Sequence, residues 1–379
     1  MHRVGFVFDD SLDKPDGVQQ FVLILGNWLS SQGHDVHYLV GQTKRTDLPG
    51  LHSLSRNVKV KFNQNRMAIP LPASRRGIKK LLREMQFNVL HVQMPYSPFL
   101  AGRIISAADQ GTAVVGTFHI APHSHMVTIA NKALGVWLRP TLKRFDAITA
   151  TSRPAAAFAK ETYGIDSQVV PLPINLDGFR GAVAFERYKT GKHVVFLGRL
   201  VERKGCQYLL QALHLLYKEG DWPEDAKLIV CGGGPLEADL KRFVHTHKLD
   251  KIVEFTGYIS EEDKPHYLAS ADVAVYPSTG GESFGVVLLE AMAASNGIVL
   301  AGNNPGYASV LEGRPQNLFD PRNPADLAKR LQGAMEFDDM RQKARDWQQK
   351  YVEQFDVNHV GKQFYEIYDK AMSGRNAGT

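Results

Sequence analysis

Through the first 170 residues, short apolar runs alternate with longer segments whose apolar residues recur every three to four positions. RVGFVF, DVHYLVG, NVLHV, AVVGTF and DAITA have the compact apolar character of strands buried on both faces. GVQQFVLILGNWLSSQ, PFLAGRIISAADQ and RPAAAFAKETYG lie between them and read as helices. This order predicts a parallel sheet covered by helices on both faces. VVPLPINLDGF then interrupts the pattern, because its prolines cannot continue a helix, and reads as a linker. After it the alternation restarts with HVVFLGRL, GCQYLLQALHLLYKEG, KLIVCGGGP, KIVEFTGYIS, ADVAVYPS, FGVVLLEAMAAS and GIVLAG. The expected architecture is therefore α/β, with two doubly wound, Rossmann-like units over residues 1–170 and 171–356. The amphipathic segment over 357–379 is expected to join the first. Sheets of this kind bind ligands beyond the carboxyl ends of their strands, which predicts a ligand in a central cleft between the units.

Composition narrows the class. At roughly 150 residues per domain, 379 residues hold two or three domains. A hydrophobic fraction of 44% with 22% charge excludes wholesale disorder. No apolar run reaches the ~18 residues of a spanning helix. The N-terminal RVGFVFDD reads as a first strand rather than a leader. Cys206 and Cys231, the two cysteines, are too few for a disulfide framework or a cysteine zinc site and fit a reducing cytoplasm. The net charge of +6 is unevenly spread: residues 41–83 hold 11 basic residues against Asp47, or +10, while the rest sums to −4.

Candidate chemistry falls in the segments that follow strands. In STGGESFGVVLLEAMAAS (Ser278–Ser295), the amides around Phe284, Gly285 and Val286 open an apolar helix and are donors suited to phosphate. Ser283 lies in the same turn. Glu282 and Glu290 could each accept hydrogen bonds from vicinal hydroxyls, one of a sugar and one of a ribose. Equally, Glu282 could serve the helix dipole and Glu290 the surface. In FLGRLVERKG, Arg199 and Lys204 could neutralise a departing diphosphate, or could belong to a solvated turn. Gly17, in DKPDGVQQF, would let the backbone approach a phosphate; Gly234, in CGGGP, could admit a nucleotide or make a tight bend. Neither dinucleotide nor P-loop glycine signatures occur. His119 ends a strand and is expected to point into the cleft. His123 and His125 invite a metal reading, but no carboxylate or cysteine cluster accompanies them.

Taken together these segments resemble retaining glycosyltransferases of family 4, with the GT-B fold, over nearly the whole chain. Within that family the likeness is to phosphatidylinositol mannosyltransferases of actinobacterial type. It rests on DGVQ (Asp16–Gln19), TFH (Thr117–His119), GGESFG (Gly280–Gly285) and SRRGIKKLLREMQFNVLHV (Ser74–Val92). The resemblance implies a nucleotide-diphosphate sugar, GDP-mannose, as donor, and a phosphatidylinositol-like lipid as acceptor. It implies that Glu282 holds sugar hydroxyls, Glu290 the ribose, and Arg199, Lys204 and the Gly17 backbone the diphosphate. Gly234, Ser283, Phe284, Gly285 and Val286 would complete the donor site, His119 would line the sugar site, and Gly257–Ser260 would neighbour the base. Gln19, Asn63 and Arg66 are the acceptor candidates. The family reacts on the front face with retention and without an enzyme nucleophile, in keeping with groups that serve leaving-group charge and orientation. No cofactor is required; a magnesium ion is compatible with a diphosphate, but no Asp-x-Asp site is seen. Two departures stand out. Asp16 precedes Gly17 where the family often has a glycine pair, and Lys61–Pro72 is only loosely similar to the acceptor loop.

The basic stretch has its own explanation. At about 100° per residue, Arg75, Arg76, Lys79, Lys80 and Arg83 share one arc of a helix, and Ile78, Leu81, Leu82 and Met85 share another. This could be a core-facing helix with a solvated basic face. Five cations without an acid on that face also suit an anionic membrane, at about 1 kcal/mol each. No base-stacking aromatics are interleaved with them, which disfavours a nucleic-acid module. The expected setting is thus cytoplasmic, peripheral at the inner face of the cell membrane; a soluble sugar acceptor is the alternative enzyme reading.

Overall fold

The computed structural model describes residues 1–13, 17–62, 65–70, 73–95, 97–119, 135, 138–282 and 284–376. It divides the chain into two compact units, one of Met1–Pro173 with Val357–Thr379 and one of Ile174–Asp356.

Unit 1 begins with β1 (Arg3–Phe8), α1 (Gly17–Ser31), β2 (Asp35–Val40), β3 (Leu51–Ser53), β4 (Asn57–Phe62), β5 (Asn65–Pro70) and α2 (Arg75–Met85). It continues with β6 (Val89–Gln93), α3 (Leu100–Ala107), β7 (Ala113–Phe118), β8 (Ala147–Ala150), α4 (Arg153–Tyr163) and β9 (Gln168–Val169). Its seven-stranded parallel sheet has the order β3-β2-β1-β6-β7-β8-β9. The central strands are mostly apolar because both faces are covered, and β1, β6 and β7 are almost wholly buried, whereas the edge strand β9 is exposed. β4 and β5 form a separate antiparallel hairpin that goes beyond the expected elements, although NVKVKF alternates with the strand period.

Unit 2 runs β10 (Lys192–Leu197), α5 (Cys206–Glu219), β11 (Ala226–Cys231), α6 (Glu237–Thr246), β12 (Val253–Gly257), α7 (Lys264–Ala269), β13 (Val273–Tyr276) and α8 (Val286–Ala294). It ends with β14 (Ile298–Gly302), α9 (Pro305–Val310), β15 (Leu318–Phe319), α10 (Pro324–Glu336) and α11 (Asp338–Tyr351). Its parallel order is β12-β11-β10-β13-β14-β15. In both sheets the order reverses beside the first strand, at β1/β6 and at β10/β13. Open parallel sheets bind ligands at such switch points, beyond the carboxyl ends of their strands.

The chain returns to unit 1 through α12 (Val357–Asn376), which packs on α1 and β7. Phe364 meets Phe21 edge-on at 5.4 Å, and Trp28 Nε1 donates to Asn358 Oδ1 at 3.0 Å. A buried polar file crosses the sheet beneath this helix. Tyr368 Oη lies 2.7 Å from His91 Nδ1, His91 Nε2 lies 2.6 Å from Thr117 Oγ1, and Thr117 Oγ1 lies 2.7 Å from Thr149 Oγ1. Burial pushes the His91 imidazole down to about 3, so it is neutral and uses both nitrogens in this file. Tyr368→Phe leaves His91 Nδ1 buried and unsatisfied and should cost about 1–3 kcal/mol in urea unfolding. A change within about 0.5 kcal/mol would show that the file does not need the phenol.

Candidate functional site

In unit 2, the loop after β10 and the loop after β13 meet at the switch point. Leu200, fully buried, plugs the first loop onto the core, and a single turn over Glu202–Lys204 ends at Gly205. Gly205 has φ +75°, and a β-carbon there would lie 1.9 Å from the Pro277 carbonyl oxygen. The close approach is sealed by the Thr279 amide, which donates to the Arg203 carbonyl at 2.8 Å. Glu282, 13% exposed at its side chain, then faces the turn. Its Oε1 lies 2.8 Å from each of Arg203 Nη1, Lys204 Nζ and Ser278 Oγ. Burial alone would push this carboxyl up; Lys204 and Arg203 outweigh burial and hold it below its ordinary 4.5.

The structure therefore brings Lys204 and Glu282 together and adds Arg203, which the sequence reading passed over. Only the second and third residues of ERK reach the carboxylate, and three adjacent charges in one turn carry no signal of which will do so. Arg199 lies exposed just past β10. Gly285 caps α8 with φ +134° and makes no side-chain cap; the Leu288 amide donates to the Gly285 carbonyl at 2.9 Å, and the Val286 and Val287 amides have no backbone partner among the described residues. Phe284 is buried against Phe355, with ring centroids 5.7 Å apart. Ser283 lies outside the described residues. Gly234 is pressed on the backbone of Leu200, where a β-carbon would come within 2.4 Å of its carbonyl oxygen, so the tight-bend reading accounts for it.

Glu290 is not a surface residue. It is 7% exposed in the otherwise apolar α8, with Oε1 2.8 Å from Lys264 Nζ, itself buried. Burial raises its carboxyl despite Lys264. Lys264 also reaches Glu261 Oε2 at 2.7 Å. An acid inside VVLLEAMAA requires a buried partner, but EEDKP resembles an exposed helix start and conceals which residue supplies it.

In unit 1, Gly17 opens α1 and is exposed, and among the described residues no atom beyond its chain neighbours and its own helix backbone lies within 4 Å of where its β-carbon would stand. Gln19 turns inward instead: it is 5% exposed and its Nε2 donates to the Ser11 carbonyl at 3.1 Å, which shapes the loop after β1. His119 is buried just past β7. Gln93 Nε2 donates to the His91 carbonyl, so Gln93 Oε1 faces His119 Nε2 at 2.7 Å. The Nε2 must then carry the proton. Nδ1 is left as a buried acceptor with no partner among the described residues. Burial lowers this imidazole to about 3, so it is neutral and cannot act as a proton donor at Nδ1. Asn63, His123 and His125 lie outside the described residues. Arg66 stands opposite Lys61 in the β4–β5 hairpin.

α2 is capped by Ser74, which accepts from the Gly77 amide at 3.2 Å. Ile78 and Leu82 are buried and Leu81 and Met85 half-buried in the unit 1 core, so the apolar face is already used. Arg75, Arg76, Lys79, Lys80 and Arg83 are all exposed. The expectation of an acid-free face needs correction: Glu84 sits 3.7 Å from Lys80, one turn away along the helix. The other four have no acidic partner among the described residues. No cluster of three metal-ligating side chains occurs among them either, nor a helix long and apolar enough to cross a membrane.

Against known proteins, residues 15–177 match the model of Glycosyltransferase Family 4 and residues 183–351 that of Glycosyl transferases group 1. A phosphatidyl-myo-inositol mannosyltransferase of Propionibacterium freudenreichii is 33% identical, over 100% of this chain and 97% of its own. One from Mycobacterium tuberculosis is 31% identical, over 97% and 96%. A GDP-mannose-dependent alpha-(1-6)-phosphatidylinositol monomannoside mannosyltransferase of the same species is 27% identical over 82% of this chain and 83% of its own. The solved glycosyltransferase of Rickettsia africae superposes with a TM-score of 0.76 at 16% identity, over 98% and 99%.

Folding stabilises the ionised form of Glu282. That contribution is present above about pH 4.5 and is lost as pH falls through the depressed value. Lys204→Met should therefore move the acid-unfolding midpoint of unit 2, followed by circular dichroism, to higher pH. An unchanged midpoint would mean that Lys204 does not hold the carboxylate.

Proposed function

This chain belongs to glycosyltransferase family 4 and has its GT-B fold, and from that premise we propose that it transfers mannose from GDP-mannose to a phosphatidylinositol-like lipid, with retention, at a membrane surface. The observation that carries the donor half is the cluster of Glu282 with Arg203 and Lys204 at the β10/β13 switch point. Two cations fixed at a strand's end would offset the charge of a departing diphosphate, and the first-turn amides of α8 would add donors to the same phosphates. With Oε1 engaged by three donors, Glu282 would offer its other oxygen to sugar hydroxyls. Glu290, anchored by Lys264, would accept from the ribose. The exposed Gly17 backbone would take a phosphate oxygen. His119 would accept a hydrogen bond from a sugar hydroxyl at Nδ1, the one role its neutral tautomer leaves it. These groups orient substrate and stabilise leaving-group charge; none is placed as a covalent nucleophile.

The lipid half draws on the named activity of the 31–33% identical relatives and on the exposed cations of α2, each worth about 1 kcal/mol near an anionic surface. GDP-mannose is the choice of donor because one relative is named as dependent on it.

Glu282→Ala and Lys204→Ala should each lower mannosyl transfer by about 10²–10³-fold, the range for losing one transition-state electrostatic contact, with the fold intact by circular dichroism. Wild-type-like turnover in both would overturn the site. In a thermal-shift panel, GDP-mannose should stabilise the chain more than UDP- or ADP-sugars at equal concentration. A larger shift with UDP-glucose would reassign the donor.

A further inference from the structure

The carboxyl edge of the unit 2 sheet carries an aromatic ring for which the fold itself has no use. Tyr258, just past β12, is 80% exposed, more than any other Phe, Tyr or Trp among the described residues. It has no hydrogen bond, ion pair or ring contact among them either. Its backbone is nevertheless fixed on both sides. Ahead of it, Cys231 pairs with Gly257 across the β11–β12 ladder, and the Gly232 amide donates to the Gly257 carbonyl at 2.8 Å. Gly257 has φ +72°, a left-handed conformation that ends the strand and redirects the chain. Behind it, the Ser260 hydroxyl accepts from the Asp263 amide at 3.0 Å and donates to Asp263 Oδ2 at 2.8 Å, which fastens the start of α7. A short loop clamped at both ends thus holds out a ring that packs against nothing.

The position of the ring gives it a use. The sheet order β12-β11-β10 puts Tyr258 two strands from the strand that leads into Arg203 and Lys204. At ~4.8 Å per strand that is about 10 Å, a separation that a nucleotide can span from its phosphates across its ribose to its base. Between the two ends, the chain after β11 runs through Gly232, Gly233 and Gly234, which raise no side chain in the path. Lys264, at the start of the helix that the Tyr258 loop leads into, anchors Glu290, the carboxylate assigned to the ribose. With the phosphates at Lys204 and the ribose at Glu290, the base is the part of a nucleotide sugar left to reach Tyr258. The transferred sugar leaves the diphosphate at its other end. Every base has a flat π-face that stacks on an aromatic ring. A purine, with two fused rings, covers more of a phenol than a pyrimidine does.

We propose that Tyr258 is the stacking platform for the donor's base and gives the site a preference for purine over pyrimidine nucleotides. This rests on the donor half of the proposed function and deepens it, by naming a residue that selects the base without touching the reacting atoms. Stacking on the base is equal in the ground state and the transition state, so it acts on KM and leaves kcat alone.

Calorimetric titration of the full chain with GDP and with UDP tests this. The wild type should bind GDP more tightly than UDP. Tyr258→Ala should weaken GDP about tenfold or more, the range for removing one aromatic from under a base, and UDP by less, so that the two affinities converge. Tyr258→Phe, which keeps the ring and loses the hydroxyl, should bind GDP as the wild type does. Tyr258→Trp should also bind it, and the emission that the new indole adds should be quenched by GDP. In turnover with GDP-mannose, Tyr258→Ala should raise KM by the factor lost in GDP binding and leave kcat within about twofold. GDP binding unaltered in Tyr258→Ala, equal proportional loss for GDP and UDP, a loss in Tyr258→Phe as large as in Tyr258→Ala, or indole emission indifferent to GDP would each overturn the platform. A wild type that binds neither GDP nor UDP would instead overturn the donor reading itself. Wild-type binding of GDP that survives Tyr258→Ala overturns only the role given to Tyr258.

Discussion

Two backbone carbonyls determine where the charges of unit 2 converge. Pro277 O and Glu282 O are approached so closely, by Gly205 and Gly306, that a β-carbon at either glycine would come within 1.9 and 2.2 Å. The first contact presses the turn carrying Arg203 and Lys204 onto the end of β13. The second seats the Glu282 backbone on the start of α9. Between these clamps Glu282 is held against both cations while largely shielded from water. There a carboxylate and two cations interact far more strongly than they would on an open surface. A larger residue at either position would move the carboxylate away from its partners.

Unit 1 solves a different problem, that of keeping polar side chains inside an apolar sheet. His91, Thr117 and Thr149 lie on neighbouring strands and satisfy one another, and Tyr368 closes the file from the returning helix. Two residues further along the strand, Gln93 donates from its amide to the His91 carbonyl and accepts from His119 at its oxygen. The tautomer of His119 is therefore decided by Gln93, which the His91 carbonyl orients within the core. Its vacant acceptor is a product of packing rather than of an adjacent acid or base.

Much of this was legible in the chain. The paired doubly wound units, the basic helix, and the Glu282 and Lys204 segments all follow from local apolar periodicity and from glycine-rich turns after strands. What escaped was pairing across sequence distance. Arg203 looked no different from its neighbours. Lys264, in a run of acids, gave no hint of burial beside Glu290. Gln19 had the polarity of a ligand contact but spends its amide on Ser11. Period two in NVKVKF was present yet overshadowed by its positive charge. In each case the deciding fact is which side chain a remote strand or helix places opposite, and that depends on register, which no single segment contains.

The route of the chain has a consequence for synthesis. Unit 1 is interrupted by all of unit 2, and the helix that covers Phe21 and His91 is made after Asp356. As the polypeptide leaves the ribosome, the second sheet can complete its core while the first still exposes an apolar face and a His91 Nδ1 that lacks its Tyr368 partner. The N-terminal half is thus the later to mature, and it is the half at greater risk of association with chaperones or with other nascent copies until residues 357–376 arrive.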